Sequence, residues 1–190
     1  MANGWIIAFD VGEFGAGVVW FNSDGSQQYE ISHDYVQAFL VTPDGLFAQG
    51  GLAHMATNSG SLYEFNRTAD GKWNIKELCD LRSAHCPIFW LGNHTLLARI
   101  HQSLYSYSPS QGLRELSTKA LPELVKLRVE ETKLYSGGRY ATTADKVYLG
   151  SGWFVTEIDL HTLAKRFLIP DSRFTNDELR WNVSVFQKAD

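Results

Sequence analysis

The chain predicts an all-β fold built from four copies of one four-stranded antiparallel sheet, and three observations carry that prediction. The first is a hairpin pattern that returns four times. Val19–Ile31, Tyr63–Leu78, Tyr105–Leu116 and Thr156–Leu168 each read as an alternating strand, a polar turn and a second alternating strand. The second is the spacing of the copies. Their turns begin at Asn22, Asn66, Ser108 and Asp159, which lie 44, 42 and 51 residues apart. A period of roughly 40–45 residues is the length of one four-stranded propeller blade. The third is composition: 44% hydrophobic and 13% aromatic residues supply a core and argue against disorder. The prediction is therefore a single small closed β-propeller over residues 1–190, with four blades of four antiparallel strands.

The elements follow in order from alternation and turn residues. In the first repeat Trp5–Phe9, Gly17–Asn22 and Gln27–Ile31 take the roles of second, third and fourth strands, and nothing precedes them as a first. In the second, Tyr35–Val41, Leu46–Gly50, Ser61–Asn66 and Trp73–Leu78 are strands, with Thr42–Gly45 and Ala69–Gly71 as turns and Gly51–Gly60 as a loop. The third repeat places strands at Pro87–Leu91, Thr95–Ile100, Ser103–Ser108 and Leu113–Leu116. The fourth places them at Arg139–Thr143, Lys146–Gly150, Trp153–Leu160 and Lys165–Ile169. The missing first strand is sought at the other end, where Leu179–Phe186 alternates well and leads into polar Gln187–Asp190. Blade 1 is thus 179–187 plus 4–32, blade 2 is 35–79, blade 3 is 86–117 and blade 4 is 138–170. Such closure removes the open sheet edge that would invite aggregation. The insert 118–137 breaks the pattern; Leu121–Glu131 fits a short helix, with Thr118 as N-cap and Pro122 near its start, about as well as a strand.

Charge and targeting signals narrow the function classes. A net charge of −4 lacks the basic footprint of a nucleic-acid binder. No apolar run approaches the ~18 residues of a membrane span. Met1–Asp10 has no basic leader region and too short an apolar stretch for a signal peptide, so a cytoplasmic protein is expected. The two cysteines, Cys79 and Cys86, match no metal or redox spacing and are expected as free thiols.

Motifs for chemistry are mostly missing: there is no phosphate-binding loop, no His-Glu-x-x-His and no Gly-x-Ser-x-Gly. Gly12, Gly15 and Gly17 precede no helix, so they serve tight turns rather than a nucleotide. In a propeller, however, the loops joining second to third strands and those joining blades share one face. That face would gather Asp10, Glu13, His33, His54, His85 and His101. Asp10, Glu13, His54 and His101 are the set that could hold a divalent cation in a metal-dependent, lactonase-like hydrolase. Solvated loop residues explain the same letters without a site. A second set on the same loops is suited to recognition: Glu13, Phe14, His54, Met55, Tyr135 and Trp153. Aromatic and methionine side chains on a rigid scaffold are common anchors of protein binding.

The stretches Thr42-Pro-Asp-Gly-Leu46 and Gly60-Ser-Leu-Tyr-Glu-Phe-Asn66 resemble generic β-propeller blades, and the resemblance extends over nearly the whole chain. It implies a fold and carries over no catalytic residue. The expected function is a non-catalytic protein-binding module without cofactor, monomeric before it forms a complex. Its concrete form is an immunity-type protein covering the active site of a basic toxin such as a nuclease. The alternatives are the metal-dependent hydrolase and a small-ligand sensor.

Overall fold

In the computed structural model, residues 4–101, 103–117, 140–143, 145–151 and 154–168 are described. The insert 118–137, the proposed strand 179–187, Tyr135 and Trp153 lie outside them. The chain divides into two compact units, Met1–Thr118 and Lys119–Asp190.

The first unit holds three antiparallel sheets. Sheet 1 is β1 (Trp5–Asp10), β2 (Ala16–Phe21) and β3 (Gln28–Ser32), in that order. Sheet 2 is β4 (Val36–Thr42), β5 (Gly45–His54), β6 (Thr57–Arg67) and β7 (Trp73–Asp80). Sheet 3 is β8 (Ile88–Gly92), β9 (Thr95–Ile100), β10 (Ser103–Ser108) and β11 (Gly112–Ser117). Each is a meander in which every strand pairs with its sequence neighbours, as short turns demand. The repeat seen in the sequence holds at the level of register. Trp5 pairs with Phe21, Leu46 with Phe65 and Leu96 with Tyr107, each partner standing one residue before the recurring Asn22, Asn66 and Ser108.

One reading needs correction. Gly51–Gly60 is not a loop: β5 and β6 stay paired as far as His54 opposite Thr57, leaving only Met55 and Ala56 as the turn. Ladder hydrogen bonds use backbone alone, so a run of small and polar residues that spoils the side-chain alternation does not stop the pairing.

Sheet 2 is buried on both faces, which is why β5 is covered from Leu46 to Gly51. Leu46, Ala48, Tyr63 and Phe65 pack with Val18 and Val36, and with Ile6, Ala8 and Ile31 of sheet 1. On the opposite face Phe47 and Leu62 pack with Ile88, Leu96, Ala98, Ile100 and Tyr107 of sheet 3, along with Leu81 and Cys86 from the β7–β8 connection. Each valine, leucine, isoleucine or phenylalanine fully buried there contributes roughly 1.5–3 kcal/mol on leaving water. The one buried amide there, Gln49, donates through Nε2 to the Ala84 carbonyl, so its burial is compensated.

The second unit contains sheet 4: β12 (Tyr140–Thr142), β13 (Lys146–Ser151), β14 (Phe154–Asp159) and β15 (Lys165–Leu168). Val147, Leu149, Thr156 and Ile158 are buried on one face. The other face carries buried Glu157 between Lys146 (3.1 Å) and Arg166 (2.7 Å). Burial alone would raise the Glu157 carboxyl, but hydrogen bonds from Arg166 and Lys146 outweigh it and hold it below the ordinary value. Cys79 and Cys86 are free thiols. Among the described residues no helix is long and apolar enough to cross a membrane.

Candidate functional site

The β1–β2 connection is a tight turn that bonds to itself. Gly12 N–H donates to Asp10 Oδ1 (2.8 Å), Val11 N–H to the Gly15 carbonyl (3.0 Å) and Gly15 N–H to the Gly12 carbonyl (3.2 Å). Its centre, Gly12–Phe14, is one turn of 3-10 helix. Gly12 (φ +62°) and Gly15 (φ +131°) occupy conformations that other residues rarely adopt, so the glycines make the turn and leave its side chains pointing outward. Val11 is 63% exposed and Phe14 is 84% exposed.

The tip of the β5–β6 hairpin supplies the other half. Met55 takes a left-handed conformation (φ +51°), which costs a residue with a Cβ roughly 1–2 kcal/mol. It leaves the thioether 95% exposed. The two halves are joined by one polar contact, His54 Nε2 to Glu13 Oε2 at 2.8 Å, with both side chains about two-fifths exposed. Residues 41 apart in sequence are thus clamped side by side within the first unit. The arrangement is a polar pair flanked in sequence by Phe14 and Met55, on backbone that is largely pre-set.

The four candidate metal ligands do not share one contact. Asp10 spends its carboxylate on Gly12 N–H, and His101 sits at the β9–β10 turn, where its carbonyl accepts from Arg99 Nε (3.1 Å). His33 pairs with Glu30 (3.1 Å), and His85 is exposed. Among the described residues no three of His, Cys, Asp or Glu lie close enough to hold a metal ion. Of the recognition set, Glu13, Phe14, His54 and Met55 fall together on two adjoining turns; Tyr135 and Trp153 lie outside the described residues.

Sequence reasoning missed Val11 and a row of apolar residues on β1. Trp5, Ile7 and Phe9 are 66%, 41% and 46% exposed. The residues matching Trp5 in the other sheets, Leu46, Leu96 and Val147, are 8%, 2% and 1% exposed. The alternation at 5, 7 and 9 was visible in the sequence, but its exposure depends on what packs against it.

No protein-family model matches the chain, and no curated protein matches it.

Proposed function

We propose that this protein is a non-catalytic module that binds a basic protein partner through the β1–β2 turn and the β5–β6 tip. The observation that carries this reading is the exposure of Phe14 and Met55 on turns locked by hydrogen bonds and by the Glu13–His54 pair. Large apolar side chains carried on pre-set backbone gain burial on binding without first ordering their turns, the usual anatomy of a hot spot. The net charge of −4 favours a basic partner by steering. In its concrete form the module is a cytoplasmic immunity-type protein that covers the active site of a basic toxin, such as a nuclease.

The test is affinity capture from native lysate at low salt with the wild-type chain, Phe14→Ala and Met55→Ala, with metal analysis of the eluate. A stoichiometric basic protein, released by salt and held at least tenfold more weakly by both variants, is the expected result. One equivalent of a bound divalent cation, or capture indifferent to both substitutions, would overturn the reading.

The same proposal takes the four sheets as blades of a closed four-bladed propeller, with 179–187 as the missing strand of the first. Its support is internal to sheet 1, which among the described residues has three strands where each other sheet has four. The face that is buried in the other sheets lies open there at Trp5, Ile7 and Phe9.

A further inference from the structure

Resting on the binding-module reading, we propose that the Glu13–His54 pair is a receptor for one arginine side chain presented by the partner. Three features point to a guanidinium in particular. The Glu13 carboxylate is held by His54 through Oε2 alone, and no other described side chain pairs with it. Among the described residues its second oxygen is open to a charge-assisted bond, and a planar fork of N–H donors can reach both oxygens where an ammonium reaches one. Directly after Glu13 and His54 in sequence come Phe14 and Met55, the two most exposed large apolar side chains of the described residues. An exposed aromatic side chain and a polarisable thioether, each one residue along the chain from a member of the pair, suit a weakly hydrated, flat cation better than a compact, strongly hydrated one.

His54 acts here as a positioning residue. By tethering Glu13 across the two turns it removes rotamer freedom that the carboxylate would otherwise lose on binding. Half-exposure of the pair matters equally: a buried carboxylate would be out of reach, and a fully solvated one would be a weak attractor.

The probe is N-acetyl-arginine methylamide, titrated into the isotope-labelled full chain and followed by backbone amide shifts. Citrulline and lysine analogues serve as controls. The expected result is a localised set of shifts at Glu13, Phe14, His54 and Met55. The neutral citrulline analogue binds at least tenfold more weakly, and Glu13→Gln reduces arginine binding by a similar factor. Phe14→Leu keeps the carboxylate but loses the ring, and weakens arginine about threefold. Equal binding of the citrulline analogue, or shifts that are absent or scattered over the surface, would overturn the proposal. The partner complex separates this from the broader reading. Weakening by Phe14→Ala and Met55→Ala with indifference to Glu13→Gln removes the guanidinium and keeps the module, whereas indifference to all three removes both.

Discussion

Cys79, Cys86 and Tyr63 show at the residue scale how burial sets ionisation in and beside the core. Burial pushes both thiols up to about 11 and the Tyr63 phenol to about 12. Cys86 S–H also lies 3.1 Å from the Ser83 carbonyl. All three groups are neutral when protonated, and the unfolded chain releases their protons first, near 9 for the thiols and 10 for the phenol. Their contribution is therefore fully present below pH 9 and is lost as the pH climbs toward 11–12. Urea midpoints measured from pH 8 upward are expected to fall steadily through this window; a flat profile to pH 11 would contradict it. Thiols so held are poor nucleophiles, and their place in the fold is packing. Phe14 and Met55 are the reverse case: truncating them leaves stability within about 0.5 kcal/mol, because exposed side chains contribute little to the core.

Among elements, the β5–β6 hairpin is the one on which the candidate site depends. Its glycines let other chain segments lie directly against it. A methyl group at Gly50 would strike the Tyr35 carbonyl, and one at Gly60 would strike the Ser83 carbonyl. The contact at Gly60 is reinforced by Leu81 N–H donating to the Gly60 carbonyl (2.7 Å) and Ala84 N–H to Asn58 Oδ1 (2.8 Å). Gly60→Ala must push backbone away from backbone, so it is expected to cost about 1–3 kcal/mol in urea unfolding. Gly71→Ala is the contrast. It meets no neighbouring atom, and only its positive φ (+81°) resists the side chain, so its loss should be the smaller. If the two variants lose stability equally, the backbone clash is not the cause.

For the whole molecule the telling feature is β1, where Trp5, Ile7 and Phe9 are exposed and one edge pairs with no strand among the described residues. An uncharged strand edge beside exposed aromatic residues is a template for pairing, and it runs from Trp5 to Phe9 without a lysine or proline to blunt it. If residues 179–187 fill that edge, the β1 amides that point away from β2 exchange slowly in the full chain. They become unprotected when 179–190 are deleted, and a synthetic 179–190 peptide restores protection. Fast exchange in the intact chain, or protection that survives the deletion, would sink the closed propeller.

The number of repeats, the position of each turn and the identity of nearly every strand were legible in the residues. Alternation and turn chemistry are local, and the chain turns within about two residues after Asn22, Asn66, Ser108 and Asp159, the last three of which still belong to their strands. Local signals misjudged Gly51–Gly60, since backbone pairing survives where the side-chain pattern lapses. They could place Phe14 and Met55 on turns but could not join Glu13 to His54. Nor could they bring Asp44 to the Trp90 indole, 46 residues away (2.9 Å), or expose Trp5 while burying its counterparts Leu46 and Leu96. Those outcomes depend on how one sheet stacks on the next. The strands and their turns follow from the residues alone, because hydrogen-bonded hairpins are written in neighbouring residues. The tertiary structure decided which ends meet and which face stays wet, because burial and pairing between sheets are properties of segments distant in the chain.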